Sequence, residues 1–251
     1  MQASVLRQLW QRDQCAVGTF VTTPSSRIAE ALAHQGYDTL LLDNQHGLID
    51  LRTVQEMLNS LSSSPTVPIV RVSWNDPAEI MQCLDAGAAG VVCPMISDRE
   101  EARRFVQACR YPPVGYRSFG PIRAKLIDPD GFANPLAFAM IETAGAVEHL
   151  EAIAATQGLD GLFVGPWDLS LSLGYAKEAD FTDPKFLRLI ERILQTCKSH
   201  GLVPGIFVAR IEDARKVHAM GYRYIILSDD NVMLQERSSQ LLRGVKDAIG
   251  E

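Results

Sequence analysis

Short apolar runs alternate along the chain with longer segments whose apolar residues recur every three or four positions. Eight runs read as strands, at 16–21, 38–43, 67–72, 90–96, 137–142, 161–165, 203–208 and 223–228. Their apolar residues fill successive positions rather than alternating, the pattern of a parallel strand covered on both faces. The segments between them carry helical spacing, from SSRIAEALAHQG after the first strand to NVMLQERSSQLLRGVKDAI at the end. Gly36, Gly87, Gly158, Gly201 and Gly221 stand where left-handed residues would close such helices. Eight strand–helix units in 251 residues predict an α/β fold, a (β/α)8 TIM barrel, as one domain over residues 1–251. A doubly wound open sheet is the alternative, but no GxGxxG follows the first strand.

Two connections are longer than joining requires, 111–135 before the fifth strand and 166–183 after the sixth. Both are expected to flank the carboxyl ends of strands, the face where barrels place their chemistry. Composition narrows the partners. A net charge of −6 gives no reason to expect nucleic acid or anionic lipid. The absence of a long apolar run argues against a membrane span, and no apolar stretch of a signal peptide follows Met1. Five cysteines, an odd number without a CxxC pair, suit reduced thiols in the cytoplasm.

Polar residues at the carboxyl ends of the strands are the candidates for chemistry. The second strand ends in Asp43-Asn44-Gln45-His46, the third carries Arg71, the fifth ends in Glu142, and the sixth runs into Gly165-Pro166-Trp167-Asp168. Two carboxylates without a Cys or His cluster make hard oxygen ligation, suited to Mg²⁺ or Mn²⁺ completed by water and substrate. Read singly, each has a plainer role. Glu142 also fits a surface or capping position, Asp168 a helix N-cap, and His46 a structural histidine. Arg71, inside the apolar IVRV, must meet a carboxylate, a ligand or water, because an unpaired guanidinium is costly to bury. No Lys lies in any predicted strand, which argues against imine-forming aldolase chemistry.

The string RVSWNDPAEIMQCLDAGAAGVVCPMISDREEARRFVQACRYPPVGYRS resembles the central stretch of the class II pyruvate-dependent aldolases of the HpcH/HpaI type. GYDTLLLDNQHG, MIET and LDGLFVGPWDLSLSLGY extend the likeness, in the same order, over roughly residues 16 to 230. The resemblance implies a barrel of the phosphoenolpyruvate/pyruvate superfamily type, assembled as a homohexamer in which the last helix packs on a neighbouring subunit. It implies that Glu142 and Asp168 hold the metal and that His46 is the catalytic histidine, with Asp43 the acid beside it. Arg71 would stabilise a pyruvate enolate, and backbone N–H groups around Trp167 and Asp168 would receive the pyruvate carboxylate. The implied reaction cleaves or forms 4-hydroxy-2-oxo acids from a 2-oxo acid and an aldehyde. Mg²⁺, Mn²⁺ and Co²⁺ all suit such a site.

Three positions depart from that pattern: Met140 replaces a glutamine, Gln45 a glutamate, and Trp167 a small residue. Met140 shares the inward face with Glu142 by the period of two, which puts a thioether where an amide could contact substrate. The departures suggest that the enolate is kept while its partner has changed. A related branch makes citrate for siderophores from oxaloacetate and acetyl-CoA, which leaves an acyl-CoA open as the alternative partner. Arg117 and Arg123, in the long 111–135 loop, are left open between a substrate carboxylate and a neighbouring subunit.

Overall fold

A strand with apolar side chains on both faces needs a cover on each side, and closing eight of them into a cylinder supplies the inner one. The computed structural model describes residues 3–175 and 179–250. In it β1 (Ala16–Val21), β2 (Thr39–Asp43), β3 (Val67–Arg71), β4 (Gly90–Cys93), β5 (Leu136–Ile141), β6 (Gly161–Val164), β7 (Val203–Val208) and β8 (Tyr224–Asp229) form a closed barrel in sequence order. All pairings are parallel, including the closing pair β1–β8. β4 stops three residues before its predicted end. Pro94 cannot donate to the ladder, and Met95 takes a left-handed φ of 58°.

Two cores result. Inside the barrel Leu41, Ile69, Phe138, Phe163, Tyr224 and Ile226 stack in a buried cluster, while a larger cluster fills the layer between strands and helices. The predicted closing glycines all have positive φ, as at Gly221 after the helix Ile211–Met220. A helix absent from the sequence reading, Ala3–Gln11, plugs the amino-terminal end of the barrel. It buries Ala3 and Leu6 and sets Trp10 edge-on to Phe138 at 5.7 Å. Among the described residues no helix is long and apolar enough to cross a membrane.

The 111–135 connection does not lie at the catalytic face. It joins the end of helix Arg99–Cys109 to the start of β5, so it crosses the amino-terminal end of the barrel. Arg117 is buried there, stacked on Tyr111 and donating to Asp85 at 2.6 Å. Arg123 donates to the Leu58 carbonyl at 2.9 Å. Both arginines fasten the loop to its own chain. The 166–183 connection does rise from the carboxyl end of β6 and opens with the helix Pro166–Ser172; its residues 176–178 lie outside the described ones.

In the last helix, Asp230–Ile249, only Asp230 is buried within the chain, and Leu234, Leu241, Leu242 and Val245 are exposed.

Candidate active site

Barrel register brings the chemistry together. Asp43 on β2 is the direct neighbour of Arg71 on β3, and Met140 on β5 that of Phe163 on β6. Side chains paired in a parallel ladder point the same way, so these converge on the mouth. There they line a cavity of about 240 Å³ with His46, Glu142 and the turn Gly165–Asp168. Every site residue named from the sequence is therefore in one place. The cavity also takes in residues that sequence reasoning missed: Phe20 and Thr22 from the first unit, Phe163, Phe207, and Asp229. The inward alternation of β1 and β7 could have shown the two phenylalanines.

Asp43 and Arg71 form a buried two-pronged pair, with Nε to Oδ1 at 2.9 Å and Nη2 to Oδ2 at 2.7 Å. The guanidinium lies 4.4 Å above the Phe20 ring, a cation–π contact that holds the fork from its other face. The Asp43 carboxylate also accepts the backbone N–H of Gln45 and His46, at 3.1 and 3.2 Å, and so shapes the turn that carries the imidazole. Below that turn Asn44 donates to Glu79 at 2.7 Å, and Glu79 also accepts the N–H of Ser73 at 2.7 Å. The loops carrying His46 and Arg71 are thereby tied together.

Glu142 is held differently. One oxygen accepts the Met95 N–H at 2.7 Å, a bond that the left-handed turn at Met95 aims inward, while Oε2 is buried without a partner. Burial raises its pKa to about 7; the Met95 bond opposes this and the nearby Asp168 charge adds to it. Asp168 stands in the first turn of the Pro166–Ser172 helix, whose N-cap is Gly165. A Cβ at Gly165 would press on Glu142 Oε2 and the Met140 methyl, so glycine there lets the backbone pass close to the carboxylate without moving it.

An orphaned carboxylate oxygen beside a second carboxylate fits a hard divalent cation. Among the described residues no three His, Cys, Asp or Glu side chains form a cage, so substrate and water would complete the shell. Opposite, Trp167 packs on Phe207 with ring centres 4.8 Å apart, and Phe207 on Phe20 at 5.4 Å, forming an aromatic wall. A larger cleft, about 440 Å³, opens at the amino-terminal end beside Arg7 and Arg223. Its acids, Asp160 and Asp13, are already held by those arginines.

The comparisons agree with this geometry. The sequence pattern of the family described as HpcH/HpaI aldolase/citrate lyase matches residues 16–234. A hydroxypyruvate/pyruvate aldolase of Rhizorhabdus wittichii is 34% identical over 242 residues, covering 94% of this chain and 96% of that protein. A 4-hydroxy-2-oxo-heptane-1,7-dioate aldolase of Escherichia coli is 34% identical over 233 residues, 90% of this chain and 88% of its own. Among solved structures, an HpcH/HpaI aldolase/citrate lyase family protein of Burkholderia cenocepacia superposes with a TM-score of 0.89 at 32% identity, over 98% of this chain and 100% of that one. The citrate synthase SbnG superposes at 0.85 with 28% identity, over 98% and 99%. With the matched pattern running from β1 into the last helix, the chain belongs to the HpcH/HpaI aldolase/citrate lyase family.

Proposed function

We propose that the protein is a divalent-metal-dependent pyruvate aldolase, a carbon–carbon lyase that forms and cleaves 4-hydroxy-2-oxo acids. One observation carries this reading: a buried, unpartnered Glu142 oxygen lies in the same cavity as Asp168 and an Arg71 fixed by Asp43. Glu142 and Asp168 would hold Mg²⁺, Mn²⁺ or Co²⁺, which when bound supplies a Lewis acid for the oxygens of a 2-oxo acid. Arg71, with Nε and one Nη2 proton committed to Asp43, keeps its Nη1 protons for the oxygen that gains charge as the enolate forms. The N–H groups of Trp167 and Asp168, in the first turn of their helix, favour the substrate carboxylate. Exposed His46 moves the proton of the acceptor's hydroxyl, directly or through water. Met140 and Trp167 give the acceptor side apolar surface in place of an amide.

The test is exchange of the pyruvate methyl protons in D2O, followed by NMR. Exchange should stop in EDTA and return with Mg²⁺, Mn²⁺ or Co²⁺. Undiminished exchange in chelator sinks the reading. The likeness to SbnG supports a second one, condensation of oxaloacetate with acetyl-CoA, which thiol release would reveal. The higher identity to the aldolases ranks it second. We read the exposed last helix as the seat of a neighbouring subunit in a homohexamer, checked by the mass in solution. Five free cysteines suit a cytoplasmic protein.

A further inference from the structure

The last strand departs from regular pairing at the mouth. β1 and β8 are in register from Ala16–Tyr224 to Gly18–Ile226, but the next pair is Phe20 with Asp229. One extra residue has entered β8. It is accommodated by Ser228, a non-glycine residue at φ 57°, whose carbonyl accepts the Thr19 hydroxyl at 3.1 Å. A bulge of this kind re-aims the side chain that follows it. Without it Ser228 would stand beside Phe20; with it Asp229 does, on the face where Phe20 meets Arg71.

Helix capping does not account for the bulge. Asp229 does accept the Val232 N–H at 3.0 Å and so caps the last helix. Six other helices have Ser, Thr or Asp side-chain caps, at Ser25, Asp50, Asp76, Asp98, Thr143 and Asp183. None of the residues before those caps has a positive φ. A strained residue held by its surroundings next to an active site points to function.

Charge around the cavity says what Asp229 does. The guanidinium of its lining, Arg71, is already paired with Asp43. A divalent cation would balance Glu142 and Asp168. Among the described residues no ion pair neutralises Asp229, whose Oδ1 accepts the Val232 N–H. The neighbouring Thr22 hydroxyl is occupied, donating to Asp230 at 2.6 Å and accepting from Asn231 at 2.8 Å.

We propose that Asp229 selects the acceptor: it accepts hydrogen bonds from the hydroxyl of a neutral hydroxyaldehyde and repels aldehydes that carry a carboxylate. This rests on the aldolase reading and names its substrate class. In the reaction pyruvate C3 loses a proton, bonds to the aldehyde carbon, and the aldehyde oxygen takes up a proton.

Glycolaldehyde and glyoxylate test it, since they are close in size and differ in a hydroxymethyl against a carboxylate. The full-length, metal-loaded enzyme should show the higher kcat/KM with glycolaldehyde. Asp229→Asn keeps a good N-cap and removes the charge. It should raise kcat/KM for glyoxylate on the order of tenfold, the scale of one charge at short range in a partly solvated site, and lower that for glycolaldehyde. Asp229→Ser, also a capping residue, should move glyoxylate the same way, which guards against a folding defect in either variant. Wild-type preference for glyoxylate, or an unchanged ratio in both variants, overturns the role of Asp229. Absence of pyruvate proton exchange in the wild type overturns the aldolase reading, and the acceptor assignment falls with it.

Discussion

The two ends of the barrel use the same residue types to opposite effect. At the amino-terminal end the acids are matched. Asp160 accepts from Arg7 at 2.7 Å, from Arg110 at 3.3 Å and from the Ala137 N–H at 2.9 Å, and Asp85 meets the buried Arg117. At the mouth Asp43 is matched by Arg71, but Glu142 keeps one buried oxygen without a partner. A buried carboxylate left unsatisfied costs stability, whereas a paired one holds structure together. The difference teaches where to look for chemistry among the acids: not where they are most numerous, but where a buried carboxylate oxygen has been left without a partner.

Substitutions should separate the ends. Replacing Glu142 with Ala should reduce pyruvate exchange by about a thousandfold or more while the protein still folds, because it removes a costly group and a catalytic interaction together. A loss of stability as large as the loss of rate would place Glu142 with the acids of the amino-terminal end, the floor of the barrel. Arg71→Ala should remove about two orders of magnitude of exchange and destabilise the fold by about 3 kcal/mol, since Asp43 is left buried without a counter-charge. Arg71→Lys should rescue little of the rate, because a point charge cannot copy the planar fork. Chemical denaturation together with exchange rates checks both variants.

The metal-free protein should report Glu142 through pH. Burial pushes the pKa of this group up to about 7, from about 4.5 for an ordinary glutamate. The contribution to stability is therefore greatest below 4.5 and is lost as pH rises to 7, by up to about 3 kcal/mol. Glu142→Gln should flatten that slope; an identical slope in the variant would show that the oxygen is not desolvated. The smallest effect belongs to the floor. Asp160→Ala should cost about 2 kcal/mol, as a partly exposed network does, with exchange per folded molecule unchanged. A Glu142-like loss of rate there would erase the contrast.

The barrel itself was legible because its signals are local. Apolar runs, closing glycines and strand-end polar residues each depend on a few neighbouring positions, and β1 and β7 match their predicted limits. Residues 43, 46, 71, 140, 142 and 165–168 could be placed at one mouth because parallel strands of a barrel all end there. Partnerships were not legible. Asp43 and Arg71 stand 28 positions apart, and only the register of β2 against β3 makes them a pair. The 111–135 segment reads as a functional loop by length alone, and only the course of helix Arg99–Cys109 into β5 shows which end it crosses. Asp229 was not singled out in the sequence, and only the bulge at Ser228 sets it beside Phe20. Sequence alone determined the eight strands and the helices between them, since those follow from short-range periodicity. Closure of the barrel decided which charges meet and which oxygen stays alone, because pairing energies act through space between strands that the chain order does not bring into contact.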